Sequence, residues 1–456
     1  MSLPHKSLEE KKQMLAKKRG PIDHFFKLTE RGTDVKTELI AGLTTFMSIS
    51  YIVIVIPSIL SEAGMPAEAA LAATIYVSVI CTLVFALWSN FPAAVAPGIG
   101  LVSFFTYTVV IGQGLTWQTA LGAVFISGII FTILTVTGLR KKIIDAIPES
   151  MKSAITVGIG LFISFLGFKN AGIIVANEAT IVSIGNLANP GVLLACFGLI
   201  AAAYFTAKNI KGGLLYAILA TTALSMIIGY EKAPSSFNDI VSFQLPSLSE
   251  TFMAMDIKSA FGYGILTIIF SFTIVELFDN TATLIGLAKK GGLVDKEGNI
   301  EKIDRALQAD AVGTMLSATM GGTALNAYAE NATGVAAGGR TGLKAIFVAL
   351  FLALALVFAP LIGFIPTFAT APILILVGAF MISEIRNISF DDFTTVVPVF
   401  LTIILMPLTF SIAEGLAFGF VSFTLLKLLT GKRDELHWMM YIISLAFAIH
   451  FASNFM

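Results

Sequence analysis

The chain has 456 residues, of which 56% are hydrophobic and 13% are charged, and its formal net charge is zero. Soluble domains carry about 25% charged residues, so this composition, with a mean hydropathy of +0.87, excludes a soluble protein of this length. Repeated long apolar runs predict a multi-pass protein of the cell (plasma) membrane, with an all-α fold. The balanced charge gives no indication of nucleic-acid binding, and no nucleic acid is expected as a partner.

The chain begins with a polar, basic stretch. Residues 1–35 are predicted to be a cytoplasmic N-terminal tail, in which the basic residues from Lys11 to Arg19 face water. Contact between these residues and anionic membrane lipid is the second interpretation.

Long apolar runs follow, separated by turn-forming Pro, Gly and Asn. The predicted spans lie near residues 39–61, 68–88, 98–111, 117–138, 150–167, 190–206, 212–230, 262–287, 304–320, 330–341, 343–361, 368–384, 393–410 and 411–429. That makes about fourteen segments, and the third is shorter than the ~20 residues that a spanning helix needs. The C-terminal region 431–456 holds a further apolar segment, 437–455, whose relation to the membrane is left open.

The basic residues of the loops support this numbering of the spans. With a cytoplasmic N-terminus, the even-numbered loops are expected to be cytoplasmic and therefore rich in Lys and Arg. The loops assigned in this way hold Arg140, Lys141, Lys142, Lys208, Lys211, Lys289, Lys290, Lys296, Lys302, Arg305, Arg340, Lys344, Arg386, Lys432 and Arg433.

The two halves of the chain share a pattern of Pro and Gly. Pro148 precedes Gly160 by the same number of residues as Pro366 precedes Gly378. Each half also has a short third segment interrupted by Gly, at Pro97–Gly100 in the first half and from Gly321, Gly322 and Thr323 onward in the second. Seven segments per half is an odd number, so the halves are expected to form inverted repeats. Paired interrupted segments in such repeats indicate a binding site near the middle of the membrane.

Two acidic residues lie inside the apolar segment 262–287. Glu276 and Asp279 are three residues apart, so they share one face of a helix. Carboxylates in hydrocarbon cost about 2.5–3.5 kcal/mol each and mark ion or substrate paths. One interpretation is a helix-packing pair satisfied by hydroxyls such as Thr281 or Thr283. In the other, one carboxylate binds substrate and one titrates. Since the four histidines lie outside the predicted core, any proton coupling is expected to use carboxylates.

A third acidic residue, Glu330, lies in a run rich in Asn, Thr and Gly from Asn326 to Gly334. An interrupted helix leaves backbone N–H and C=O groups that can bind a polar, planar ligand. Capping of the break is the alternative for the Asn and Thr residues, but a cap does not require a charge. Glu330 is therefore a predicted binding residue.

Other polar residues of this region have structural interpretations. The Gly-rich stretch 337–342 lacks the Lys-Ser/Thr of a phosphate loop, so it is interpreted as a tight turn anchored by Arg340. Asp304 and Asp310 are interpreted as helix-start or interfacial charges.

Three stretches carry a family resemblance. They read GLTTFMSISYIVIVIPSIL, FTIVELFDNTATLIGLAKKGGLVD and ADAVGTMLSATMGGTALNAYAENATGVAAGGRTGL. Through them, and over most of the chain, the sequence resembles the azaguanine-type branch of the nucleobase:cation symporter-2 permeases. The resemblance implies a UraA-like fold of two inverted seven-segment repeats. Its core domain would comprise residues 36–139 and 260–362, and its gate domain 140–259 and 363–430.

The resemblance also implies an activity, proton-coupled uptake of a purine nucleobase (hypoxanthine, guanine or adenine), with no cofactor. In the family, the first acid of segment eight and the glutamate of segment ten bind the base. Here these are Glu276 and Glu330, and the neighbouring Ala329 and Asn331 are assigned to the same site. Asp279 matches the second acid of segment eight and is assigned, with Glu276, to proton coupling.

The chain departs from the family pattern in two places. Many relatives have Asp where this chain has Glu276, and the longer side chain would shift the contact. Relatives commonly read PGMGLNAYF in segment three, where this chain has Val102 and Ser103 before Phe104. The absent Asn removes a hydrogen-bond partner, which leaves the choice of substrate open. Phe104 either stacks on a purine face or packs in the core.

Two other transport activities and one assembly question stay open. A pyrimidine or xanthine permease of the wider family is the second candidate. An anion transporter of the same fold is disfavoured because the site is acidic. Gly415 and Gly419 form a small-xxx-small pair that would pack helices within one protomer or between the protomers of a homodimer.

Overall fold

The computed structural model describes residues 20–261, 265–295 and 299–454 of the chain. Residues 20–261 contain α1 (Pro21–Phe26), α2 (Val35–Ile49), α3 (Ile52–Glu62), α4 (Ala67–Ser89), β1 (Val95–Pro97), α5 (Ile99–Ser103), a π-helix (Phe104–Gly112), α6 (Trp117–Val136), α7 (Leu139–Ala146), α8 (Glu149–Asn170), β2 (Ile174–Asn177), β3 (Ile181–Ile184), α9 (Pro190–Ala207), α10 (Gly213–Ile227) and α11 (Ile257–Ala260). The rest contains α12 (Ile265–Gly291), α13 (Ile303–Met320), β4 (Leu325–Ala327), α14 (Asn331–Ala336), α15 (Gly342–Ala355), α16 (Ala359–Ile362), α17 (Thr367–Met381), α18 (Phe393–Leu408), α19 (Ile412–Leu429) and α20 (Trp438–Asn454).

The described ranges contain eight helical stretches that are long and apolar enough to cross a membrane. They are Val35–Glu62, Ala67–Ser89, Trp117–Val136, Glu149–Asn170, Pro190–Ala207, Gly342–Ile362, Thr367–Asn387 and Ile412–Leu429. Shorter apolar helices, α10 and α18 among them, lie between these stretches. A mostly helical architecture is therefore confirmed, and the total of fourteen segments stays a prediction.

Local side chains define where several helices begin. The Asp34 side chain accepts a hydrogen bond from the backbone N–H of Thr37, and Thr116 does the same for Thr119. Pro148 and Pro366 stand immediately before the first residues of α8 and α17, respectively. Capping side chains satisfy N–H groups that a helix start leaves free, and Pro has no N–H to satisfy. These residues explain why the predicted and observed starts agree closely.

The two interrupted segments meet in an antiparallel pair of strands. Strand β1 pairs with β4 in the register Val95 with Ala327 and Pro97 with Leu325. This pairing satisfies backbone groups that a broken helix would otherwise leave without partners in an apolar interior. A second strand pair, the hairpin of β2 and β3, lies between α8 and α9. The expectation of an all-α fold was wrong at these two places, because extended backbone here finds partners in another extended segment.

The matched glycines of the two halves pack against each other where α8 contacts α17. A Cβ atom on Gly160 would lie 2.9 Å from the carbonyl oxygen of Gly378. A Cβ atom on Gly378 would collide with the Gly160 backbone and the Ser164 side chain. Only residues without a side chain let the two backbones approach this closely.

Gly378→Ala is expected to destabilise the protein by about 1–3 kcal/mol, because the added methyl group has no space at the helix crossing. The measurement is thermal unfolding of the purified protein in detergent. Gly286→Ala is the matched control, since Gly286 is also helical and a Cβ there meets no atom within 4 Å. A Gly378→Ala protein as stable as this control would contradict the close crossing.

The small-xxx-small pair packs within one chain. A Cβ atom on Gly415 would lie 2.9 Å from the carbonyl oxygen of Thr402, and one on Gly419 would collide with the Thr402 side chain. Helix α19 therefore uses this face against α18 of the same protomer. The homodimer stays a prediction.

Three charged residues are more buried than their positions between apolar runs predict. Arg140 and Lys344 are 2% and 0% exposed, so they are not free loop charges, and Asp310 is 0% exposed rather than interfacial. Arg140 lies on α7 facing the interior, and Lys344 lies in the first turn of α15 and points towards the interrupted segments. The turn at Arg340 is as expected, since its guanidinium donates to the carbonyl oxygens of Val335 and Gly339.

The C-terminal apolar segment forms α20, which packs into the bundle. The Phe447 ring contacts Phe420 of α19 and Phe270 of α12. The hydroxyls of Thr424 and Ser444 also share a hydrogen bond of 2.6 Å between α19 and α20. The C-terminal segment is thus part of the fold, although residue 455 and most of the N-terminal tail lie outside the described residues.

Candidate functional site

Glu276 is held in the interior by a hydroxyl that also contacts β4. Its side chain is 0% exposed, and its Oε1 accepts a hydrogen bond of 2.5 Å from the Thr314 hydroxyl of α13. The same hydroxyl oxygen accepts from the backbone N–H of Leu325, the first residue of β4, at 3.1 Å. Glu276 is therefore linked through one side chain to the paired strands.

Helix α12 contacts the other end of β4 one turn further along. Asn280, four residues after Glu276, accepts a hydrogen bond of 3.0 Å from the backbone N–H of Ala327 through its Oδ1. Residues four apart lie on the same face of a helix. The face of α12 that carries Glu276 therefore lies along the whole of β4.

Glu330 follows β4 by three residues and lies immediately before α14. Its side chain is half-buried, and its Oε1 accepts a hydrogen bond of 2.8 Å from the hydroxyl of Tyr51. The preceding residue, Ala329, is exposed. The strand thus connects a fully buried carboxylate, Glu276, to a partly accessible one, Glu330.

Asn331 connects the two interrupted segments. Its Oδ1 accepts from the backbone N–H of Ala94 at 2.8 Å, and its Nδ2 donates to the carbonyl oxygen of Ala94 at 2.9 Å. Asn331 is 0% exposed, so in this conformation its amide is occupied by the segment before β1. The structure places this predicted binding residue as a bridge beside Glu330.

A buried ammonium group supports that bridge, and the sequence analysis missed it. Lys344 Nζ donates to the carbonyl oxygen of Pro92 at 2.8 Å and to that of Asn331 at 3.0 Å. The carboxylate of Glu38, also fully buried, accepts from the backbone N–H of Lys344 at 3.0 Å. The only signal in the sequence was a single Lys directly before a long apolar run, which was counted as a loop charge.

The three predicted residues of segment three are all buried. Val102, Ser103 and Phe104 are 0% exposed, and the Phe104 ring packs edge-on against Phe272 with centroids 4.8 Å apart. Phe272 lies one turn before Glu276 on α12. Segment three therefore lies next to the acidic helix, and Phe104 packs in the core in this conformation.

Asp279 lies on α12, but its side chain is outside the part of the chain that the structure describes. The structure therefore gives no information on the contacts of this carboxylate. Its part in proton coupling stays a prediction.

A second buried charged cluster joins helices α7, α12 and α13. Arg140 of α7 donates from Nη2 to the Thr281 hydroxyl at 2.8 Å, and its Nη1 lies 3.9 Å from Asp310 Oδ2. Its guanidinium also lies 4.3 Å from the centre of the Phe131 ring. Asp310 is four residues before Thr314, so both side chains lie on one face of α13. Arg140 therefore provides positive charge near the acidic helix.

The arrangement is suited to a small, polar, planar ligand. A partly accessible carboxylate and the backbone of a broken helix offer acceptors and donors, while Glu276 offers a second carboxyl within the same structural unit. Among the described residues, no group of three or more His, Cys, Asp or Glu side chains could hold a metal ion. The chemistry that these residues can perform is hydrogen bonding and proton binding.

The chain is similar to known membrane permeases. The profile of the Permease family (Xan_ur_permease) matches residues 36–418. The adenine permease AdeP of Escherichia coli is 40% identical over 431 residues, which cover 94% of this chain and 96% of the relative. The guanine/hypoxanthine permease PbuO of Bacillus subtilis is 40% identical over 432 residues, which cover 93% and 99%.

A solved structure supports the fold alone. The transmembrane domain of the cyanobacterial bicarbonate transporter BicA has a TM-score of 0.58 to this chain and 17% sequence identity. It covers 85% of this chain and 96% of its own length. At this identity the likeness carries no information on the substrate.

Proposed function

Because the chain belongs to the permease family, and is therefore a multi-pass membrane transporter rather than an enzyme, we propose that it takes up purine nucleobases together with protons. The relatives named as adenine and guanine/hypoxanthine permeases support a purine substrate. The observation that carries the proposal is the pair of carboxylates, Glu276 and Glu330, attached to opposite ends of β4.

In this proposal Glu330 binds the substrate directly. A purine presents N–H donors at the edge of its ring, and a carboxylate oxygen accepts such bonds more strongly than a neutral amide does. The backbone around Ala329 would complete the recognition of the planar edge. In the proposal, Val102, Ser103 and Phe104, which are fully buried in this conformation, belong to the inner side of the site, where Ser103 would supply a hydroxyl.

Glu276 has the proposed role of proton carrier. Its Oε2 is buried and has no hydrogen-bond partner among the described residues. Because no other group in the described part of the chain occupies this oxygen, it is free to bind a proton. Asp279, on the same helix, takes part in this coupling by the family resemblance.

Transport would then proceed by alternating access. The proposed core domain, residues 36–139 and 260–362, contains the acidic helix and both interrupted segments. The proposed gate domain, residues 140–259 and 363–430, contains α8 and α17. Rocking of one against the other would open the site to each side of the membrane in turn.

A competition panel tests the substrate. Uptake of radiolabelled hypoxanthine, guanine and adenine is measured in cells that lack their own purine permeases, with and without an uncoupler. Hypoxanthine, guanine or adenine should compete, and the uncoupler should abolish accumulation. Competition by uracil or xanthine alone would favour the second candidate, and uptake of bicarbonate without any nucleobase would favour an anion transporter.

Glu330→Gln is expected to lower the affinity for the purine by about 10- to 100-fold, because a charged acceptor becomes a neutral amide; each tenfold corresponds to ~1.4 kcal/mol. The measurement is the KM of uptake at constant protein level. Glu149→Gln is the control, since the Glu149 side chain is 81% exposed at the start of α8. Normal accumulation by Glu330→Gln would count strongly against the proposed site.

A further inference from the structure

The helical hydrogen bonding of the first membrane segment is irregular beside Glu330. Helices α2 and α3 together form the stretch Val35–Glu62, and Ser50 and Tyr51, which keep helical dihedral angles, lie at their junction. Tyr51 is 1% exposed, so packing fixes the position of its ring, and its hydroxyl reaches Glu330 Oε1 at 2.8 Å. A buried ring of fixed position makes this hydroxyl a directional donor.

The contact belongs to a matched series between the first segment and α14. Ser48, three residues before Tyr51, shares a hydrogen bond of 3.1 Å with Thr333, which is three residues after Glu330. Gly334, the next residue, packs so closely on Thr45 that a Cβ there would collide with its hydroxyl. Tyr51, Ser48 and Thr45 are three residues apart, and Thr333 and Gly334 lie three and four residues after Glu330, so the two segments face each other along one stripe.

We propose that Tyr51 is a positioning residue of the binding site, holding the Glu330 carboxylate so that one oxygen is occupied and the other faces the ligand. This inference rests on the proposed function and adds to it. With Oε1 taken by Tyr51, Oε2 is the atom that accepts an N–H from the nucleobase. The site would therefore select a ring edge that presents an N–H donor at one fixed position.

The test is Tyr51→Phe, which removes the hydroxyl and keeps the ring. Uptake and equilibrium binding of radiolabelled hypoxanthine and adenine are measured with purified or reconstituted protein. We expect KM and Kd to rise about 5- to 20-fold, with little change in kcat, because the charged acceptor loses its fixed orientation. In a Glu330→Ala background, which leaves no acceptor for the Tyr51 hydroxyl at this position, the same substitution should change Kd less than about twofold, since Tyr51 acts through that side chain.

A matched control is present in the chain. Tyr107 is 4% exposed, and its hydroxyl donates to Oε1 of Glu62 at 2.8 Å, at the far end of α3. Tyr107→Phe removes the same kind of hydrogen bond and should leave Kd unchanged, so a general loss of packing is separated from the effect at Glu330.

The outcomes distinguish this inference from the proposed function. If the wild-type protein takes up a purine and the Tyr51→Phe variant binds it with the wild-type Kd, only the role of Tyr51 is overturned. Equal effects of Tyr51→Phe with and without Glu330→Ala would also overturn it, because Tyr51 would then act elsewhere. A wild-type protein that takes up no purine would overturn the proposed function as well.

Discussion

Arg140→Met is expected to destabilise the folded protein by about 3–5 kcal/mol, because it leaves the buried carboxylate of Asp310 without a counter-charge. Asp310 is 0% exposed, and the guanidinium 3.9 Å away carries its opposite charge. Methionine keeps much of the length and the helix propensity of arginine, so the lost charge dominates the effect. The measurement is the unfolding temperature of the purified protein in detergent.

The neighbouring residue provides the control for this prediction. Lys141 is exposed on the same helix, so Lys141→Met should leave the unfolding temperature almost unchanged. Adding Asp310→Asn to Arg140→Met should recover a large part of the stability, because neither member of the buried ion pair then carries a charge. A double variant no more stable than Arg140→Met alone would show that the pair does not carry the effect.

This cluster also shows where sequence reasoning reached its limit. The positive-inside rule counts basic residues by their position between apolar runs, and Arg140 lies in such an interval. It cannot tell that α7 turns this side chain inward to Thr281 while Lys141 stays exposed. Only the tertiary packing of α7 on α12 and α13 decides which of two adjacent basic residues is buried.

Other features could be predicted because their causes are local. Pro148 and Pro366 define helix starts through backbone chemistry alone, and their matched glycines pack at one crossing. The broken segments at Pro97 and after Gly322 were predicted from turn-forming residues, and the structure shows them interrupted. Their pairing as β1 with β4 was not predicted, because the two strands are far apart in sequence and no local pattern links them.

Sequence alone identifies only some members of the candidate site, for the same reason. Acidic residues in an apolar run are visible in any sequence, so Glu276 and Glu330 were identified. Their partners Thr314 and Tyr51 are ordinary residues of apolar helices, and nothing in their neighbourhood marks them. A hydrogen-bond partner from another segment becomes apparent only when the segments are packed together.

Glu276→Gln is expected to abolish accumulation of purine against its gradient, a loss of about 100-fold or more in the ratio reached inside the cell. The proposed role of Glu276 is to bind and release a proton in each cycle, and an amide cannot do this. Glutamine has the shape of glutamate and can still accept from the Thr314 hydroxyl through its oxygen, so folding should persist and substrate binding should be weakened rather than lost. Exchange of labelled for unlabelled purine in reconstituted vesicles should therefore continue.

The separation between accumulation and exchange is what makes this measurement decisive. A residue that only packs the core would affect both, whereas a proton carrier is needed only for net, uphill transport. Glu276→Asp is the control, because it keeps a carboxyl group at the position and should retain uphill uptake with an altered KM. If Glu276→Gln still accumulated purine in response to a proton gradient, proton coupling would have to move to another carboxylate. Asp279, which the family resemblance assigns to the same coupling, would then be the first residue to replace, followed by Asp310, which is buried on the same face of α13 as Thr314.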